Sequence, residues 1–315
     1  MIYKDNIMAV GNTPLIQIRN ELGINLYVKY EGINPTGSVK DRAANYVLQK
    51  LIQNREIDKN TTIIESSSGN FGISLATYCK SMNIKNTIVI DPNILSINEF
   101  IIRSLAGNVV KVTQRDKTGG YLLTRIQYIK EVMASGDNYY WINQYSNPYI
   151  AEAYYKTLGK EICDDIGIDY MFLGVSSGGT ITGVSNCVKD KYPNAKIIAV
   201  DTKGSIIFGG EPKKRYIPGI GSSMRPTILS GAKIDEYSLI DEADVIQVCK
   251  DFLAHHGMLI GGSSGSVTCA IQKYFSNKKF NNRPNVVTVF ADRGDRYCNT
   301  IYNDDWVRDR FGRSL

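Results

Sequence analysis

The chain has 315 residues, 43% of them apolar and 22% charged, a globular balance that excludes a disordered, collagen-like or coiled-coil chain. Its net charge is +6, and the longest basic runs, Lys213-Lys214-Arg215 and Lys278-Lys279, are too short to neutralise a track of phosphates, so no nucleic-acid partner is expected. Only two histidines occur, His255 and His256, which withholds the usual side chain for proton transfer near neutral pH.

At roughly 150 residues per domain the length predicts two domains. No stretch approaches about 18 consecutive apolar residues, and Met1-Ile2-Tyr3-Lys4-Asp5 lacks the apolar core of a signal peptide; a cytoplasmic protein without membrane contact is expected. Cys79, Cys163, Cys187, Cys249, Cys269 and Cys298 are scattered, with no C-x-x-C and no histidine at ligand spacing. They read as small hydrophobes in a reducing compartment. Adjacent His255 and His256 cannot chelate from one helix face, so no metal is expected.

In chain order, Asn34-Pro35-Thr36-Gly37-Ser38-Val39-Lys40-Asp41-Arg42 comes first. Asn34-Pro35 and Gly37 punctuate a turn, Ser38 can cap the next helix with Asp41 three positions on, and Lys40 falls in the first helical turn. A lysine there opposes the helix dipole, whose positive end depresses the ammonium pKa; alone, it also reads as an exposed surface lysine. Val39, Ala43, Tyr46, Val47 and Leu51 then recur at helical spacing. Buried strands are expected at Thr62-Ile63-Ile64-Glu65, Thr87-Ile88-Val89-Ile90 and Val109-Val110-Lys111-Val112. After a seam of polar and turn residues from Tyr140 to Pro148 they resume at Tyr170-Met171-Phe172-Leu173, Ile197-Ile198-Ala199-Val200 and Val286-Val287-Thr288-Val289-Phe290. Alternation of such strands with helices predicts an α/β chain with largely parallel sheets.

Three strand-to-helix loops share one composition: Ser66-Ser67-Ser68-Gly69-Asn70-Phe71-Gly72, Gly174-Val175-Ser176-Ser177-Gly178-Gly179-Thr180 and Gly261-Gly262-Ser263-Ser264-Gly265. A helix cap explains any one of them. Three together point to a small phosphorylated or carboxylated ligand, held by N–H groups and hydroxyls at helix N-termini beyond the carboxyl ends of strands. None matches the dinucleotide or nucleoside-triphosphate fingerprints. The third satisfies G-x-S-x-G, but no histidine follows Ser263, so a hydrolase triad is excluded and a cofactor must supply what histidine does not.

Taken together these pieces resemble the fold-type II pyridoxal-phosphate enzymes of the cysteine synthase family. Asn34 to Arg42 resembles the family's Schiff-base lysine motif, the 67–72 loop its substrate-carboxylate loop, Gly174 to Thr180 its phosphate loop, and Gly261 to Gly265 the segment that faces the cofactor nitrogen. Gly11-Asn12-Thr13-Pro14-Leu15 and Asn143-Gln144-Tyr145-Ser146-Asn147-Pro148 match as well. The resemblance implies a tryptophan synthase β-like fold of two three-layer αβα domains: a large one from residues 1–33 plus 147–315, and a small mobile one from 34–146. It implies pyridoxal 5'-phosphate between them, small amino-acid substrates, and a homodimer.

Carried over by position, the resemblance implies that Lys40 forms the internal aldimine and shuttles the Cα proton, and that Asn70 bonds the ring hydroxyl. Ser176, Ser177, Gly178, Gly179 and Thr180 would cradle the phosphate. Ser263 would face the ring nitrogen, where a neutral hydroxyl favours elimination at Cβ over deeper carbanion chemistry. Ser67, Ser68, Gly69, Phe71 and Gln144 would hold the substrate α-carboxylate. Within the family, Gly119-Gly120-Tyr121-Leu122-Leu123-Thr124-Arg125, Tyr140 to Tyr145, Val200 to Ser205 with Phe208-Gly209, and Asp292-Arg293-Gly294-Asp295-Arg296-Tyr297 resemble transferases that join O-phospho-L-serine to the amine of L-glutamate, for 2,3-diaminopropionate and siderophore synthesis. Such anionic substrates require extra cations, which implies Arg125, with Tyr145 and Ser176 as hydrogen-bonding partners, and Arg225 as a second candidate. Ser176-Ser177 stands where the family has Gly-Thr, and Phe71 where it has threonine. The rival expectations are a cysteine synthase taking O-phosphoserine or O-acetylserine with sulfide, and a non-catalytic regulatory binding protein.

Overall fold

The computed structural model describes residue 3 and residues 5–312. Met1, Ile2 and Lys4 of the segment read for a signal peptide lie outside the described residues, as do 313–315. Among the described residues ten strands form two sheets. The strands are β1 Leu15–Ile18, β2 Asn25–Tyr30, β3 Thr62–Ser66, β4 Lys85–Ile90, β5 Asn108–Lys111, β6 Tyr139–Trp141, β7 Tyr170–Gly174, β8 Lys196–Thr202, β9 Glu236–Ile240 and β10 Asn285–Phe290. One sheet has the order β5-β4-β3-β6 and the other β1-β2-β10-β7-β8-β9. Every pairing is parallel except that of β1 with β2.

Parallel strands covered on both faces read as unbroken apolar runs, which is why six of the strands fall on the runs noted above. The other four do not. β6 has three residues, and β9 alternates half-buried with exposed positions at a sheet edge. β1 is short and pairs as the antiparallel edge. β2 contains Lys29, buried because its ammonium lies 3.2 Å from both Glu161 and Asp165.

Helix α1 Lys40–Gln53 packs on α2 Asn70–Ser81, and α2, α3 Ser96–Leu105 and α4 Leu122–Ala134 pack on the four-stranded sheet. Ile63 and Ile64 of β3 face opposite sides, the first into the core built with α1 and α2, the second toward Ile129 of α4. Then follow α5 Pro148–Tyr154, continued through a π turn at Tyr155–Gly159 into α6 Lys160–Asp165, and α7 Gly179–Lys191. α8 Glu242–His256, α9 Gly262–Phe275 and α10 Asp304–Phe311 complete the described chain. α7 covers one face of the six-stranded sheet and α9, backed by α8, the other. Close approach of α7 to α5 is possible because Gly183 has no side chain; a Cβ there would lie 2.3 Å from the Ala151 carbonyl oxygen.

One apolar core joins both sheets. Val47 and Leu51 of α1, Leu75 of α2, Ile150 and Tyr154 of α5, and Met171, Leu173 and Val287 of the six-stranded sheet belong to a single cluster. Each large side chain fully buried there contributes about 1.5–3 kcal/mol. α1 packs on both α2 and α5, so its N-terminus, where Lys40 stands, is set at the junction of the two sheets. His255 and His256 end α8, with His256 against the Phe252 ring and His255 Nδ1 on the Asp251 carbonyl.

Candidate active site

A cleft opens beyond the carboxyl ends of β7 and β10, lined by Lys40, Ser176, Ser177, Gly178, Thr180 and Ser263. Three of the sequence-derived loops therefore meet: the starts of α1, α7 and α9. No cap side chain closes α7 or α9, so their first-turn N–H groups remain available to an anion. Gly178 takes φ +86°, the left-handed conformation natural to glycine. A Cβ on Gly179 would come 2.3 Å from Ile150 Cγ2. This loop thus presents backbone, supplemented by hydroxyls, of which Ser176 donates to Gly221 O at 3.1 Å.

Lys40 projects into this cleft with its Nζ 5.9 Å from the Tyr154 ring centre. Burial lowers its pKa to about 8, against the opposing pull of Asp292. Desolvation, rather than the helix dipole invoked from sequence, is the leading cause, because removing an ammonium from water penalises its charge. The expected capping box is corrected too. Ser38 Oγ accepts from Lys40 N at 3.3 Å, but Asp41 turns away to accept from Thr36 N and Thr36 Oγ1 at 2.6 and 2.5 Å. Ser38 also pairs as an antiparallel bridge with Asp292.

Asn70, at the head of α2, crosses to the end of β10. Its Nδ2 donates to Asp292 Oδ2 at 2.7 Å, and Tyr297 donates to the same oxygen at 2.5 Å. Arg296 donates to Asn70 Oδ1. The segment Asp292 to Tyr297 stands out in the sequence for its resemblance, which assigns no role to Asp292, Arg296 or Tyr297; the charged run immediately beyond a buried strand is the usable signal.

A second cluster lies at the carboxyl edge of the four-stranded sheet. Arg125, 8% exposed, donates to Ser68 Oγ at 3.0 Å and pairs with Asp91 at 3.3 Å. Ser68 donates to Asp91 Oδ2 at 2.9 Å. Glu65 accepts from the backbone N–H groups of Ser66 and Gln144, and burial lifts its pKa to about 7. Burial likewise raises Tyr145 to about 12, with Arg125 lowering it and Glu65 and Asp91 raising it. Gln144 Nε2 donates to Ser66 O at 3.1 Å. Asp91 and Glu65 were not singled out from sequence.

Other candidates are engaged differently. Ser67 Oγ accepts from Gly72 N at 2.9 Å and from Gly69 N at 3.4 Å, stapling the start of α2. Phe71 is buried in the core. Gly69 has open space about its Cα. Arg225 is exposed and donates to Ile207 O at 3.3 Å. Ile228 lies between the two clusters: its N–H donates to Tyr145 O and its side chain lies against Gly178. No helix among the described residues is long and apolar enough to cross a membrane.

A family model described as "Pyridoxal-phosphate dependent enzyme" matches residues 7–292. Among solved structures, the chain is similar to an O-acetylserine dependent cystathionine beta-synthase from Helicobacter pylori, at 30% identity and TM-score 0.88, covering 96% of this chain and 100% of that one. It is also similar to a hydrogen sulfide-producing enzyme from Fusobacterium nucleatum, at 28% identity and TM-score 0.86, covering 94% and 100%. An O-ureido-L-serine synthase shares the fold at 23% identity and TM-score 0.85, covering 98% and 96%.

Proposed function

The chain belongs to the pyridoxal-phosphate dependent enzyme family, and on that premise we propose that it is an N-(2-amino-2-carboxyethyl)-L-glutamate synthase. It replaces the phosphate of O-phospho-L-serine by the amine of L-glutamate, releasing phosphate and feeding 2,3-diaminopropionate synthesis. It works as a homodimer, with 34–146 closing as the smaller unit on 1–33 plus 147–315.

The cleft fits the cofactor. Uncapped helix N-termini and glycines that a Cβ would crowd make a cradle for a phosphate, and Lys40 supplies an amine with pKa about 8. Ser176, Ser177, Gly178, Gly179 and Thr180 would hold the phosphate, Ser263 the ring nitrogen, Asn70 the ring hydroxyl and Lys40 the aldehyde carbon. When bound, the cofactor supplies the electron sink that lets a group leave from Cβ of an amino acid. Lys40, easily deprotonated, takes the proton from substrate Cα and returns it after replacement. Ser67, Ser68, Gly69, Phe71 and Gln144 would form the strip that receives the α-carboxylate, Phe71 by its backbone because its ring is buried in the core.

The choice of substrate rests on one observation: a buried guanidinium, Arg125, stands beside the substrate strip in contact with Ser68 and Asp91. A phosphate leaving group is a dianion and gains from such a donor, with Tyr145 and Ser176 adding hydroxyls; Arg225 would serve the distal carboxylate of glutamate. To test this, the yellow holoenzyme is given O-phosphoserine with glutamate or with sulfide, and released phosphate and product mass are recorded. Phosphate release with glutamate and the mass of the joined amino acids are expected. Product with sulfide alone would make it a cysteine synthase, and a protein that never binds cofactor would return the non-catalytic reading.

A further inference from the structure

Both ends of the Asn70 amide are engaged by groups of opposite character. Arg296 donates to Asn70 Oδ1 and, through its other terminal nitrogen, to Thr36 O. On the far side, Asn70 Nδ2 donates to Asp292 Oδ2 at 2.7 Å. A guanidinium only donates and a carboxylate only accepts. The ordinary ambiguity between amide oxygen and nitrogen is thereby removed. Turning Asn70 over would set N–H groups against Arg296 and an oxygen against Asp292. Nδ2 carries a second hydrogen besides the one given to Asp292, and the Tyr297 hydroxyl lies near the same amide.

The carboxylate that imposes this orientation is itself fixed. Asp292 is 2% exposed and takes a second hydrogen bond, at 2.5 Å, from the Tyr297 hydroxyl. Its Oδ1 lies where a Cβ on Gly261 would come within 1.9 Å, and its backbone bridges to Ser38. It therefore ties the starts of α1, α2 and α9 to the end of β10. Burial raises its pKa, opposed by the hydrogen bonds from Tyr297 and Asn70 and by the charges of Arg296 and Lys40.

We propose that Asp292 and Arg296 are positioning residues that lock the Asn70 amide with an N–H toward the cleft, so that the site offers a donor to the ring oxygen of the cofactor. The proposal rests on the reading above that the cofactor lies against Asn70. With the amide turned over, two oxygens would face each other and the hydrogen bond would be lost.

The experiment titrates apoenzyme with pyridoxal phosphate, recording Kd and the absorption band of the bound cofactor. It compares wild type with Asn70→Ala, Asp292→Ala, Arg296→Met, and the last two each combined with Asn70→Ala. Each single change is expected to raise Kd about tenfold, the worth of one hydrogen bond, and to shift the band. In the Asn70→Ala background each second change adds clearly less than it does in wild type, because the part that each residue contributes through Asn70 is already lost. Additive losses in the doubles, or an unshifted band and unchanged Kd in Arg296→Met, overturn the clamp. Should Asp292→Ala fail to fold, the half-buried Arg296 decides through Arg296→Met. Unchanged Kd in Asn70→Ala would instead remove the cofactor from that residue, which separates failure of the site reading from failure of the clamp.

Discussion

Arg125→Ala probes substrate choice most directly. The guanidinium donates to Ser68 Oγ at 3.0 Å and faces Asp91 at 3.3 Å, so its loss has two separable effects. A charge-assisted hydrogen bond to a dianionic leaving group is worth ~1.5–3 kcal/mol, which corresponds to about a 10- to 100-fold drop in kcat/KM for O-phosphoserine. O-acetylserine, whose leaving group gains no comparable charge contact, should lose only a few-fold. The second effect is structural. Asp91, 5% exposed, is left without its cation and keeps the Ser68 hydroxyl and the Asn93 N–H at 2.9 and 2.8 Å, which lowers stability for both substrates alike. Arg125→Ala combined with Asp91→Asn removes that stranded charge, restoring thermal stability without restoring the preference for phosphoserine. The assay is steady-state kcat/KM for both substrates in wild type, the single variant and the double. Equal loss for the two substrates in the double variant would refute a role for Arg125 in recognising phosphate.

Further outcomes follow from the same geometry. Gly179→Ala places a Cβ 2.3 Å from Ile150 Cγ2; overpacking of about 1–3 kcal/mol should lower the melting temperature and weaken cofactor binding, and Ile150→Ala in the same chain should recover both. Arg42 pairs with Glu31 and Glu161, each at 2.6 Å, in a cluster where Arg42 and Glu31 are about fully buried. Arg42→Met strands the Glu31 carboxylate, and urea unfolding should show a loss of ~3–5 kcal/mol, with Glu31→Gln added to it restoring part. Glu65, lifted from 4.5 to about 7, holds its proton in the folded state over a window where the unfolded chain has lost it. Its contribution to stability therefore falls as pH rises from 4.5 to about 7. Urea midpoints of wild type and Glu65→Gln should converge toward pH 4.5 and separate toward 7, with the wild type the less stable; parallel curves would show that Glu65 is charged throughout.

Where residues act through their own stretch of backbone, the chain could be read directly. β3, β7 and β10 appear as apolar runs because parallel strands are covered on both faces. The loops at 66–72, 174–180 and 261–265 appear as Ser and Gly because glycine admits the backbone that a strand-to-helix turn around an anion needs. Lys40 was conspicuous for its place in a first helical turn. Where a residue acts across the fold, its partner was hidden. Asn70 and Asp292 lie 222 positions apart, Arg125 and Ser68 57 apart, and no periodicity relates them. The same holds for the desolvation of Lys40 and for the tie of Ser38 to Asp292. Sequence by itself thus determined the class of fold, the loops and the residues able to do the chemistry. The insertion of β10 between β2 and β7, with α1 buried against both α2 and α5, decided which of them meet, because contacts between distant segments depend on strand order and packing.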